Sequence, residues 1–345
     1  MSIKKISLKT LNEWVDRLLT KQHTIYGIQE ICDGARYGFE LLSDAADLRL
    51  DYDVALTPPK KFFQPPCEAL VTFNSEGEYR GIVEDEPFII FGVHPYDMVA
   101  INQMDDVHSA DNEDIHYTRR RRNATIVAVD VQKPSENVFA GCMNTATVQE
   151  GFDILLTLIG DEAYVVDART EKGEALVEEL PRSEKVNDCI LARRQQVWTD
   201  ADRFLRKHEL KCSPEYLPKL LENADNHPIW EKKAEHCYSC GSCVLVCPTC
   251  YCFDVQDDVD WNLESGQRIR KWDGCMLEQF ATVAGNHNFR PERADRLRHR
   301  LYRKGKYLHD RFGHIACVGC GRCVTACTTK IANPVEIYNT LLEDV

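Results

Sequence analysis

The chain has 345 residues, of which 43% are hydrophobic and 28% charged, and a formal net charge of −13 at pH 7. This balance describes a soluble globular protein of two or three domains. It argues against a general nucleic-acid binder, which draws most of its affinity from excess Lys and Arg set against phosphates. No apolar stretch is long enough to span a bilayer, so direct membrane insertion is not expected.

The first expected element is a helix capped by Ser7, with Leu8, Leu11, Val15, Leu18 and Leu19 recurring at helical spacing. Short strands are expected at Glu68–Phe73, Phe88–Val93, Thr125–Val129 and Ala163–Val166, each bounded by Gly, Pro, Asp or Asn. The charged run from Glu184 to Leu210 places Val186, Ile190, Val197 and Phe204 on one long helix. Between Lys211 and Pro228 the pattern breaks, with Pro214, Pro218 and Pro228 close together. The boundary is placed here: residues 1–225 form a mixed α/β domain and residues 226–345 a second domain, an α+β protein overall.

The second domain carries one cysteine arrangement twice, Cys237, Cys240, Cys243, Cys247 and then Cys317, Cys320, Cys323, Cys327. Each run reads C-x2-C-x2-C-x3-C, the spacing that wraps a [4Fe-4S] cluster, and in two-cluster ferredoxins the fourth cysteine of each run ligates the other cluster. The expected ligand sets are therefore Cys237, Cys240, Cys243 and Cys327 for one cluster, and Cys317, Cys320, Cys323 and Cys247 for the second. Structural zinc fits less well, because it takes two well-separated cysteine pairs. Disulfides need an oxidising compartment, and Met1–Ser7 shows no apolar core of a secretory signal, so a cytoplasmic protein with reduced thiols is expected. Gly241 and Gly321, each set between ligands, are candidates to let the backbone approach the cluster and donate N–H groups to its sulfur.

The two runs are 69 residues apart, from Pro248 to Ala316, far more than a minimal ferredoxin uses. The reading is a ferredoxin-like core with a long, largely helical insertion, residues 249–316. Cys250, Cys252 and Cys275 in that insertion are candidates for a further cofactor. The simpler reading, which is preferred, makes them buried small residues beside the metal. The insertion ends in a basic segment, Arg290, Arg293, Arg296, Arg298, Arg300, Arg303, Lys304 and Lys306. Its expected role is to surround the net-anionic cubes, or to face an acidic partner.

The segments Thr57-Pro-Pro-Lys-Lys-Phe-Phe, Phe91-Gly-Val-His-Pro-Tyr-Asp, Arg119-Arg-Arg-Arg-Asn, Gly151-Phe-Asp-Ile, Cys247-Pro-Thr-Cys-Tyr-Cys, Gly285-Asn-His-Asn-Phe-Arg and Cys317-Val-Gly-Cys-Gly-Arg-Cys resemble the beta subunit of cytoplasmic sulfhydrogenases over nearly the whole chain. The iron–sulfur subunit of anaerobic sulfite reductase is similar in the same motifs, more distantly. The resemblance implies a non-catalytic electron-transfer subunit with [4Fe-4S] clusters. Such a subunit stands between a flavin subunit that exchanges electrons with NAD(P)H and a catalytic subunit: a [NiFe] hydrogenase, a sulfite reductase or a heterodisulfide reductase-like assembly. Members of the family usually carry four further cysteines for a third cluster. Here those positions hold Tyr96, Asp130, Val138 and Ala140, with Cys142 nearby but out of register and Cys67 far off, so two clusters are expected rather than three. Thr328 stands where the family has a proline after the last ligand, whereas Pro248 keeps that place in the first run.

Two other functions are weighed beside this one. A self-contained reductase would need a nucleotide motif, and the chain has no G-x-G-x-x-G after a strand and no P-loop. A scaffold subunit would hold its clusters for structure alone, and the potential of the clusters separates it from a carrier.

Overall fold

A computed structural model describes residues 2–32, 34–160 and 162–344. Its first part is built on eight strands: β1 Ser2–Ser7, β2 Ile25–Ile31, β3 Arg36–Leu41, β6 Phe88–Val93, β7 Ala124–Val129, β8 Ile154–Leu158, β9 Ala163–Ala168 and β10 Glu184–Lys185. They form one mixed sheet in the order β10-β1-β9-β8-β7-β6-β2-β3. Strands β2, β6, β7 and β8 are parallel neighbours, and β6, β7 and β8 read as near-continuous apolar runs because helices cover such sheets on both faces. The helix Leu8–Thr20 starts as expected: Ser7 Oγ accepts from the Thr10 N–H at 3.1 Å, and Leu11, Trp14, Val15 and Leu18 are buried. The long helix after β10 runs Asp188–Phe204.

The carboxyl ends of β6 and β7 carry the residues that matter for function. The register of β6 on β7 shifts between Phe91 and Val93, at Gly92 with φ +102°, where a Cβ would meet Ile28 Cγ2 at 2.7 Å. The chain then turns through His94 into the helix Pro95–Ser109, with proline in the first helical turn, where its missing N–H costs nothing.

A second sheet is made of β4 Cys67–Asn74, β5 Tyr79–Gly81, β11 Phe253–Val259 and β12 Ser265–Trp272, in the order β11-β12-β4-β5. The insertion is thus helical only in its second half, through Arg293–Tyr302 and onward to Phe312, while its first half is a hairpin laid on β4. The physical reason is a two-residue alternation, Phe253, Val255, Val259, Trp261, whose period suits a strand.

The two parts of the chain share structure as well as a border. Besides the sheet made of β4 and the hairpin, a second hydrophobic core joins Phe139, Cys142 and Met143 to Trp230, Leu297, Leu301, Ile337 and Tyr338. Leu210, Leu217, Leu220 and Leu221 belong to that core as well, so the division expected at 225/226 runs through it. The prolines there start short helical turns at Pro214–Tyr216 and Leu217–Glu222. Among the described residues no helix is long and apolar enough to cross a membrane.

Candidate functional site

Two cavities lie side by side in the second part. One is lined by Cys237, Cys240, Cys243 and Cys327, with Thr328 at its wall, and the other by Cys247, Cys317, Cys320 and Cys323, with Pro248. They enclose about 430 Å³ and 360 Å³ of atom-free space, mouths included. Each takes three cysteines from one run and the fourth from the other. Among the described residues no group of His, Cys, Asp or Glu converges on a point that a single ion could occupy. Four thiols spread around a cavity suit a multi-atom cluster and not a lone tetrahedral zinc.

The two runs are built alike. Ser239 and Gly319 hold the same place between the first two cysteines, at φ +53° and +67°, and Gly241 and Gly321 follow at +74° and +78°. The short helices Ser242–Leu245 and Arg322–Ala326 start directly after these two glycines. Backbone donors reach the thiols of both runs, among them the N–H of Ser239, 3.4 Å from Cys237 Sγ, and the backbone at Gly319 beside Cys317. Gly241 and Gly321 supply the left-handed turn, and a Cβ on Gly321 would meet the Asn137 carbonyl at 2.3 Å.

Burial pushes the thiols of Cys243, Cys317 and Cys320 up to about 12. Thiolates in such a setting require positive charge beside them, which the irons of a cluster supply. Cys327 differs. Burial raises its thiol too, but hydrogen bonds from Thr329 and from the backbone of Ala332, Ile331 and Thr329 outweigh this and bring it below its ordinary value.

The basic segment resolves into two faces. Arg296, Arg300 and Lys304 are four residues apart and share one side of the helix. Arg296 donates to Ser239 Oγ at 2.9 Å in the first run, and Lys304 to Thr249 Oγ1 at 2.6 Å beside Cys247. Arg300, between them, interacts with Cys243 of one cavity and with Cys323 and Cys247 of the other. All three are at most 5% exposed. Nε and Nη1 of Arg300 are buried without a hydrogen-bond partner, so an anionic group in the cavities would complete them. Arg298 and Lys306 face away and pair with Asp225, Asp295, Glu222 and Asp310. Thiols, cations and unsatisfied donors together fit [4Fe-4S] clusters.

Two residues from the first part, not singled out from the sequence, complete the setting. Lys60 is 3% exposed, lies 2.5 Å from the Cys250 carbonyl and sits over the Trp272 ring at 4.3 Å. Asp97 makes a bidentate ion pair with Arg322, between Cys320 and Cys323, both contacts at 2.6 Å, while Arg322 Nε donates to the Ala55 carbonyl at 2.8 Å. The signal for both pairs lay in the sequence as charged residues inside otherwise apolar motifs, which are buried only when paired.

Cys250, Cys252 and Cys275 line neither cavity; Cys250 and Cys275 belong to the second hydrophobic core. Cys250 is hydrogen-bonded to Cys247, and the hairpin base brings Cys252 towards Cys275 through the Asp273 N–H on the Cys252 carbonyl at 3.1 Å. Tyr96, Val138 and Ala140 pack into one small apolar cluster with Val131, Leu205, Val318 and Cys320. Asp130 is buried and accepts from Thr157 at 2.6 Å and from Trp198 at 2.8 Å. These four positions are therefore filled by core packing and one buried carboxylate, which accepts both bonds on Oδ2 and leaves Oδ1 without a hydrogen-bond partner among the described residues. Cys142 is buried against the His208 carbonyl, and Cys67 is exposed at the start of β4.

The site thus defines an iron–sulfur protein of the [4Fe-4S] type, and residues 236–331 match the family described as 4Fe-4S dicluster domain. Over 309 residues, 89% of each chain, the protein is 34% identical to sulfhydrogenase 2 subunit beta of Pyrococcus furiosus. It belongs to the family of sulfhydrogenase beta subunits.

Proposed function

We propose that the chain is the iron–sulfur electron carrier of a hydrogenase-type complex, holding two [4Fe-4S] clusters. One is held by Cys237, Cys240, Cys243 and Cys327, the second by Cys247, Cys317, Cys320 and Cys323. The observation that carries the reading is the pair of adjacent four-cysteine cavities, each drawing on both runs. Core packing at Tyr96, Val138 and Ala140 favours two clusters over three. When bound, a [4Fe-4S] cube takes up and releases one electron.

The chain's own residues do the rest. Paired loops fix the thiolates, backbone and hydroxyl groups hydrogen-bond to sulfur, and Arg300 and Lys304 offset the negative charge that reduction adds. The proposed partners are a flavin subunit that exchanges electrons with NAD(P)H and a catalytic subunit, a [NiFe] hydrogenase in view of the relative's name. An anaerobic sulfite reductase partner is the second possibility, and a cytoplasmic location follows from either.

The test is anaerobic purification with iron and acid-labile sulfide counted per chain, followed by EPR of the reduced protein. About eight of each, with two interacting [4Fe-4S] signals, is the expected result. About twelve would place a further cluster on Cys250, Cys252 and Cys275, and zinc without sulfide would overturn the proposal.

A further inference from the structure

The hairpin of β11 and β12 ends in an apolar surface that the electron-carrier reading leaves unused. At the far end of the four-stranded sheet, Val259, Gly266, Phe73 and Tyr79 are register partners across β11, β12, β4 and β5, so they share one face. Gly266 has no side chain, and the Phe73 ring lies where its Cβ would stand, 2.8 Å away. Tyr79 is 77% exposed, Leu263 in the connecting turn 76%, and Trp261 is fully exposed. Every residue of β11 is exposed, and β11 is an edge strand.

Carboxylates flank this surface: Glu76 and Glu78 in one turn, and Asp260 and Glu264 around the other. Among the described residues none of the four is in an ion pair, and Arg268, on the same face, is engaged by Asp257 at 2.7 Å. Charge on an edge strand guards against sheet-to-sheet aggregation. An exposed Trp, Tyr and Leu at the same end works against that purpose, and an apolar patch rimmed by like charges marks a protein contact.

We propose that this tip is the docking knob for another subunit of the redox complex. Trp261 and Leu263 enter an apolar socket whose rim carries Lys and Arg to meet the four carboxylates. β11 starts at Phe253, a short stretch of chain after Cys247 and Pro248, which line the second cavity. Its occupant thereby acquires a fixed position relative to the clusters. The proposal rests on the reading of the chain as a subunit of such a complex.

The test uses the assembled complex, purified anaerobically, with p-benzoylphenylalanine in place of Trp261. After irradiation, the expected product is a single cross-link to a different subunit, at a peptide with Lys or Arg flanking apolar residues. Two variants accompany it: the pair Trp261→Ser with Leu263→Ser, and the triple charge reversal Glu76→Lys, Glu78→Lys, Glu264→Lys. Each should weaken recovery of that subunit, the first by about 30-fold, the effect of losing a buried aromatic anchor. Iron, sulfide and the EPR spectrum of the same samples should stay unchanged. A cross-link to a second copy of this chain, or undiminished assembly of both variants, would overturn the docking proposal. Loss of iron and sulfide from the unsubstituted chain would instead count against the electron-carrier reading, so the two failures are distinguishable.

Discussion

Lys304 and Arg300 are buried cations with no carboxylate partner among the described residues, an arrangement that costs several kcal/mol unless an anion lies beside them. With clusters in place they act as electrostatic tuning groups. Replacing Lys304 with Met should lower the reduction potential of the cluster held by Cys247, Cys317, Cys320 and Cys323 more than that of its neighbour, read by EPR during a redox titration. Cysteine substitutions test the crossing. Cys247→Ser and Cys320→Ser should abolish the same EPR signal and spare the other, whereas Cys327→Ser should act together with Cys240→Ser; pairing by run instead would show that the fourth ligands do not cross. The eight cysteines were legible in the sequence because cluster spacing is local, set by one loop and one helical turn. Lys60 and Asp97 could be seen only as charges within apolar motifs, and what they pair with was not legible, because their partners stand far away in the chain.

At the scale of elements, the hairpin is joined to the first part through charge. Glu68 on β4 receives Arg120 at 2.6 Å and Arg270 of β12 at 2.8 Å, and all three are buried. Glu68→Ala would leave two buried guanidinium groups short of a counter-charge. It should destabilise the protein by about 3–5 kcal/mol, measured as a shift in urea unfolding of the cluster-loaded chain. Four strands and the first helix could be read from apolar runs and a cap, and they match β4, β6, β7, β9 and Leu8–Thr20 closely. The hairpin was missed because Asp257 stands at an apolar place of its alternation and breaks it in the middle, and only pairing with β4 makes it a sheet. β2 and β8 were overlooked for another reason: such short segments acquire their identity from the strands paired on either side, one parallel and one antiparallel in each case.

For the molecule as a whole, the packing of the two parts predicts how it fails. The first core is a helix-covered sheet with no cysteine in it, while the second packs directly on Cys237, Cys243, Cys317 and Cys327. Removing iron should therefore loosen the second and leave the first. Hydrogen exchange should quicken over residues 237–331 and stay slow at Ile89, Ile90 and Phe91. That the second core reaches back to Phe139 and Leu210 was hidden in the sequence, since prolines mark a break in helix pattern and not the border of a core. The sharing of cysteines between the two cavities has a consequence for biogenesis. A nascent chain that has exposed only Cys237 to Cys247 has three thiols for one site and one for the other, and its missing partners await translation of the hairpin and the cationic helix. Neither site can be filled early. Metallation is thereby deferred until the second run has been made and folded back, so a loaded centre certifies a correctly threaded polypeptide.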